Sequence, residues 1–422
     1  MTNTRWRIVV LLLIAIVINY TDRVNLSYVA PTFMKQFDIG PADMGIVLSA
    51  FLWTYFLVQI PLGVALDRVG VRWLYGVAAV VWGGATMLTA TAGGLGSLIG
   101  WRVLLGVGEG PAFPATTKVM GIWVSDKERG LAAAIGGVAG IPLGVFISSP
   151  FVGWLLWAFG WRMIFIVTGA IAIVWAIVWI LYYRNPEDHP GANEAERRYL
   201  AENISKLSGA DTAGRASWRE LLSNRNILGL SLGHAAMLFN LYFLISWLPT
   251  YLIQQHHLTA LNTGIYGSIP WVFGLLGVIA GGRGSDMLIK EGWPIVKARK
   301  VFLVAGMLLA MVCLLAAFVG SLGAAIACLS VAVFGIFLTN SVVWAANAEV
   351  SPLHQEGVVA AIENCFGNIG GLLAPIIVGF LLQATGSWVI PMAAAAVVAL
   401  AGAGVYLFML ADKALFAKSA VA

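Results

Sequence analysis

The chain has 422 residues, 60% of them hydrophobic and 11% charged, with a formal net charge of +5. A soluble domain carries about 25% charged residues, so an apolar excess of this size excludes a single soluble core and calls for a bilayer as solvent. Twelve stretches are long enough to span one, since about 20 mostly apolar residues suffice. They run at roughly 8–28, 43–65, 73–92, 95–117, 132–155, 161–183, 227–252, 262–286, 299–319, 321–347, 356–384 and 387–410. Lipid offers the backbone no hydrogen-bond partner, which leaves helices or a closed barrel. These stretches are too long for barrel strands. Arg23 and Arg102 lie deep within spans, and Lys35 and Arg162 in loops assigned outside. The other Lys and Arg gather at the termini, in alternate loops and at the span ends bordering them, so both termini are expected in the cytoplasm. The positive charge thus has an explanation without nucleic acid.

Arg5 and Arg7 precede the first apolar run, but no small-residue cleavage site follows, so it is taken as an uncleaved first span. In it Asn19, Arg23 and Ser27 recur every four residues, a polar stripe suited to a cavity wall. Charge inside a membrane is costly and by default functional. A guanidinium grips a carboxylate through parallel hydrogen bonds, so Arg23 is expected to bind a substrate carboxylate; a structural ion pair with Asp22 is the alternative. Asp22 points about 100° away around the helix and can face span four, where Arg102 is its candidate partner. Span two offers Tyr55 and Gln59 beside Trp53, and Tyr20 follows Asn19. These are hydrogen-bonding groups in an apolar wall, the usual make-up of a ligand pocket, or else packing residues. After span two comes GVALDRVGVR, Gly63 to Arg72, in which Asp67, Arg68 and Arg72 form a gate or a plain charged turn. In span four Arg102, Gly106 and Glu109 share one face. Glu109, between Gly108 and Gly110, is the candidate proton carrier, or else a carboxyl satisfied by neighbouring helices; Arg102 is expected to neutralise Asp22 or Glu109 in turn, with direct substrate binding as the alternative.

A polar segment, 184–226, separates residues 1–183 from 227–422 and is expected to be a cytoplasmic linker, part helical over Asn193 to Leu207. After span eight, GGRGSDML places Gly282 four residues before Asp286, as Gly63 stands four before Asp67. This is an internal repeat of the kind transporters carry, and Asp286 joins the gating set. Span seven carries Asn240, span ten Asn340, Trp344 and Asn347, and span eleven Asn364 and Asn368. Such amides bridge helices or bind substrate hydroxyls. Glu363 is an extra acid, near the cytoplasmic interface or serving as a second proton or cation site. His256 and His257 fall in an outside loop. Cys313, Cys328 and Cys365 show neither metal spacing nor a disulfide pattern. No nucleophile pairs with a His, so neither an enzyme nor a cofactor is expected.

GVALDRVGVR resembles the signature loop of the major facilitator superfamily. NYTDRVNL, Asn19 to Leu26, and RVLLGVGEGPAFP, Arg102 to Pro114, resemble its anion:cation symporter family, which includes bacterial carriers of sugar acids, hexuronates and phthalate. The resemblance implies an all-α integral membrane protein, twelve transmembrane helices in two six-helix bundles working by alternating access. It implies that Arg23 holds the substrate carboxylate, that Asp22 is protonatable, that Glu109 couples the proton, and that Tyr20 and Tyr55 line the site. Sugar-acid relatives place a polar residue in span five; here GGVAGIPLG, Gly136 to Gly144, has none, which weighs against polyol recognition there. The expected function is proton-coupled uptake of a small organic anion across the cell (inner) membrane by a monomer. The rivals are proton-driven efflux on the same fold, against which Arg23 counts, and a transporter-like sensor.

Overall fold

The computed structural model describes residues 2–125, 127–128, 132, 137–204, 216–352 and 355–411. Gly136 and the 205–215 part of the expected linker lie outside the described residues. The chain order is α1 (Thr4–Gln36), α2 (Pro41–Val69), α3 (Val71–Thr89), α4 (Leu95–Glu109), α5 (Ala112–Trp123), α6 (Gly140–Phe159), α7 (Trp161–Tyr182), α8 (Glu194–Asn203) and α9 (Trp218–Ser223). There follow α10 (Arg225–His256), α11 (Ala260–Lys290), α12 (Ile295–Ala310) with a 3-10 turn over Met311–Ala317, α13 (Leu322–Val350), α14 (Glu356–Thr385) and α15 (Val389–Met409). Among the described residues eleven helices are long and apolar enough to cross a membrane.

The twelfth expected span, 95–117, is the exception, because it is split into α4 and α5. Pro111 and Pro114 have no N–H to give to the carbonyls four residues back, so the ladder is interrupted after Glu109. Gly110 and Pro111 nevertheless stay near helical dihedrals, with φ −51° and −79°, so the chain continues in the same sense. The GVALDRVGVR motif also differs from expectation. It is not a loop: α2 runs through Asp67 and Arg68 to Val69, and only Gly70, at φ +85°, breaks it before α3. That left-handed value suits a glycine. Asp286 likewise sits within α11.

The described chain forms two compact units. Unit 1 comprises 1–207 with 249–268, and unit 2 comprises 208–248 with 269–422. In unit 1, α3 packs along α7, α1 along α6, and α4 lies against both α2 and α3. The last contact depends on two glycines. A Cβ at Gly106 would strike the Phe51 carbonyl of α2, and one at Gly108 would lie 2.6 Å from the Trp82 backbone nitrogen of α3. With no side chain there, α4 approaches both neighbours backbone to backbone.

On the polar side of unit 1, α8 is capped by Asn193, whose side chain accepts the Glu196 N–H at 3.0 Å. Helix α8 covers Glu194–Asn203, shorter than the expected Asn193–Leu207. Glu196 in turn accepts Arg5 Nη1 at 3.1 Å, and Arg5 Nε reaches Glu128 at 3.0 Å. Burial raises the pKa of both carboxyls. At Glu128 the Arg5 and Ser125 hydrogen bonds outweigh it, and at Glu196 the Thr2, Thr4 and Arg5 donors do, so both end below the ordinary glutamate value.

Candidate functional site

Arg23 and Glu109 meet inside unit 1. Arg23 donates to Glu109 Oε2 from Nη2 at 3.1 Å and from Nε at 3.3 Å, with the side chains 2% and 0% exposed. Both N–H groups converge on one oxygen, and Glu109 Oε1 has no hydrogen-bond partner of good geometry. Asn19 lies beside the carboxyl. The guanidinium is ringed by Tyr20 at 4.6 Å, Phe51 at 5.1 Å and Tyr55 at 5.1 Å. Each such contact contributes about 0.5–2 kcal/mol, so the cation is held in place by aromatic faces as well as by its counter-ion. Gln59 flanks the Tyr55 hydroxyl. Within the protein Arg23 therefore pairs with Glu109 and not with Asp22, because α4 comes close enough for Glu109 to reach it.

Asp22 is buried on the other side of α1. Its Oδ1 accepts Asn25 Nδ2 at 3.2 Å, and the same amide donates to the Thr168 hydroxyl of α7 at 2.7 Å. Arg102 comes near, but its Nη1 donates to the Asp22 backbone carbonyl at 3.3 Å and its guanidinium lies over Phe51 at 5.1 Å. Arg102 thus meets Asp22 at the main chain, with its charge close enough to act on the carboxyl. Asn25, one turn after Asp22, Phe51 and Thr168 escaped sequence reasoning. In α6, whose start lacks polar side chains, Ser148 approaches Thr21 of α1 at 2.5 Å. Asp22, Arg23, Arg102 and Glu109 are thus all buried in this part of unit 1, and Arg23 and Glu109 form a direct ion pair.

A sequence model of the Major Facilitator Superfamily matches residues 12–375. The chain belongs to the Major Facilitator Superfamily. It is similar to the protein named "Probable galactarate/D-glucarate transporter GudP" of Bacillus subtilis strain 168, at 33% identity over 92% of this chain and 88% of that one. It is similar to the "D-galactonate transporter" of Escherichia coli O6:H1, at 33% identity over 97% and 96% of the two chains. In fold it matches the crystal structure of a bacterial homologue of the human lysosomal transporter Spinster in an inward-facing, occupied conformation, at TM-score 0.78 and 18% identity over 98% of this chain and 99% of that one. The protein is a multi-pass membrane transporter of the Major Facilitator Superfamily and not an enzyme.

The charged ends of the helices of this Major Facilitator Superfamily chain show partners that sequence spacing did not reveal. Asp67 accepts Lys118 Nζ of α5 at 2.6 Å, and the same ammonium donates to the Leu66 carbonyl at 2.9 Å. Arg72 donates to the Ile180 carbonyl of α7 at 2.8 Å and lies over Trp73, while Arg68 is exposed. In unit 2, Asp286 accepts Arg299 Nη1 at 2.6 Å, and Arg299 Nη2 also pairs with Glu349 at 3.0 Å. Asp67 and Asp286, equivalent in the repeat, therefore each bind a cation from a later helix of their own unit.

The amides of unit 2 are mostly engaged within it. Asn240 turns back on the Ala236 carbonyl at 3.0 Å and Asn368 on Asn364 at 2.8 Å. Asn340 is buried, Asn364 is half-buried and Trp344 is 38% exposed. Asn347 donates to Glu363, which is fully buried and approaches His234 of α10 at 3.2 Å. A His amid the apolar run SLGHAAML was the sequence signal for His234.

Proposed function

We propose that this transporter imports a sugar-acid anion together with protons, by alternating access. The observation that carries the proposal is the buried Arg23–Glu109 pair with its three aromatic rings. An anion that takes the Nε–Nη2 edge of Arg23 displaces Glu109 from it. Left bare in an apolar interior, the displaced carboxylate would be costly. Protonation removes that cost, so substrate arrival and proton uptake favour one another. Asp22, buried within reach of Arg102, is the second proton acceptor on this view. Asn19, Tyr20, Tyr55 and Gln59 supply the remaining contacts around Arg23, and the amides of unit 2 are assigned to hydroxyl hydrogen bonding. Asp67, Arg68, Arg72 and Asp286 are assigned to gating.

Symport also follows from the membrane potential, since an anion entering against inside-negative 100 mV pays about 2.3 kcal/mol per charge. The relatives named for galactarate, D-glucarate and D-galactonate carriage support a polyhydroxy carboxylate as cargo. We place the chain in the inner membrane as a monomer with both termini cytoplasmic, and divide it functionally at the 184–226 linker. The test is uptake of radiolabelled D-galactonate, D-glucarate and galactarate into proteoliposomes, with and without a pH gradient at fixed membrane potential. Accumulation of one of these acids that disappears with the pH gradient is expected. Accumulation indifferent to the gradient rules out proton coupling, and no accumulation of any of the three rules out the cargo class.

A further inference from the structure

Unit 2 buries a carboxyl for which the proposed cycle has no use. Glu363 lies two turns into α14 and is fully buried. Its Oε2 accepts the Asn347 side-chain amide of α13. A carboxylate only accepts, so it is the NH2 end of the amide that faces Glu363; the Ser351 hydroxyl donates to the Asn347 main-chain carbonyl at 2.6 Å and lies 3.3 Å from Oδ1. The other oxygen, Oε1, stands 3.2 Å from His234 Nδ1, both side chains being at most 2% exposed. Neither atom of this contact has a hydrogen-bond partner of good geometry. His234 meets Trp344 edge-on, with ring centroids 5.8 Å apart.

Among the described residues two titratable groups face Glu363 from the packed helices. His234 comes from α10, and Tyr406 from α15, its ring against Gly233 and its hydroxyl without a partner. From α13 the neutral Asn347 donates to it. Among the described residues no Lys or Arg nitrogen lies within 4.0 Å of this carboxylate. An unneutralised carboxylate is unfavourable in such surroundings. A single proton makes the cluster neutral, whether as carboxylic acid with imidazole or carboxylate with imidazolium. Since Asn347 donates to Oε2, that proton belongs on the Oε1 side, where it faces His234 Nδ1.

We propose that His234, Glu363 and Asn347 form a proton-binding site of unit 2, in which one proton is held between Glu363 Oε1 and His234 Nδ1 while Asn347 positions the carboxyl. An alkali cation suits the cluster less well, because such ions take oxygen ligands and one side of this carboxyl is occupied by a ring nitrogen. The assignment holds whichever solute is carried.

Infrared difference spectroscopy of the purified full-length protein in nanodiscs, perfused between acidic and alkaline buffer, reads the site without transport. The wild type is expected to show a titrating carboxyl band that is lost in Glu363→Gln, retained in Glu109→Gln, and displaced along the pH axis in His234→Gln. Replacing K+ by Na+ should leave it unchanged. A Glu363→Gln difference spectrum that superimposes on wild type overturns the proposal, and displacement of the band by Na+ overturns it in favour of a cation site. Should Glu363→Gln fail to fold, His234→Gln decides alone, and an unmoved band refutes the sharing of the proton.

Discussion

Replacing Glu109 by Gln keeps the shape of the side chain and removes its charge. In the structure Glu109 Oε2 accepts two N–H groups from Arg23, at 3.1 and 3.3 Å, in a fully buried setting. Removing one member of a buried ion pair costs about 3–5 kcal/mol. A Gln carbonyl still accepts from the guanidinium, which returns about 1.5–3 kcal/mol, and the three rings still hold the cation. The resting protein is therefore expected to lose about 1–3 kcal/mol of stability. The same energy no longer opposes an incoming carboxylate, so anion binding should tighten by roughly 5–150-fold. Proton release is another matter, because Gln has no proton to give up. In proteoliposomes counterflow of the transported sugar acid should persist in Glu109→Gln while uptake against a gradient is abolished. Thermal unfolding in nanodiscs, with and without substrate, measures the stability and affinity components. Concentrative uptake at the wild-type rate would refute the mechanism, and loss of both activities in a folded variant would assign Glu109 a structural or direct binding duty.

Arg23→Lys retains the charge but loses the planar fork and its fit over the rings of Tyr20, Phe51 and Tyr55; equilibrium binding should weaken by at least about tenfold, with expression and folding unchanged. Gly108→Ala places a methyl 2.6 Å from the Trp82 nitrogen and should cost about 1–3 kcal/mol through overpacking, read as a lower unfolding midpoint. Glu128 and Glu196 lie below the ordinary glutamate value, so their contribution is present above that value and is lost as pH falls through their folded values. Hydrogen exchange in α8 and the start of α1 should accordingly accelerate on acidification below the usual carboxylate range, and Arg5→Ala should weaken that pH dependence without removing it, since Thr2 and the main-chain donors still serve Glu196.

Membrane architecture was legible because the requirement for long apolar runs acts along the sequence. Asp22, Arg23, Arg102 and Glu109 could be singled out as well, since charge at membrane depth stands out locally, and all four are buried. Their pairing was not legible. Which acid meets Arg23 depends on how closely α4 approaches, and that is decided by the absence of side chains at Gly106 and Gly108 against neighbours far away in sequence. Lys118 lies just past an apolar stretch and resembles any cytoplasmic cation until α5 brings it to Asp67. Glu363 was visible as an anomaly, but its position against His234 depends on three helices whose relative rotation no periodicity fixes.

The break after Glu109 has a mechanical consequence. Pro111 and Pro114 remove two rungs of the helical ladder, so the α4–α5 rod has low bending stiffness at that point and ordinary stiffness on either side. Above the joint, glycine contacts clamp α4 to α2 and α3; below it, Lys118 moors α5 to the end of α2. Bending strain in unit 1 will concentrate where the rod is most compliant, beside the carboxylate that holds Arg23. A small angular change there is enough to lengthen a 3.1 Å contact, so a displacement of α5 would be felt first at the Arg23–Glu109 pair.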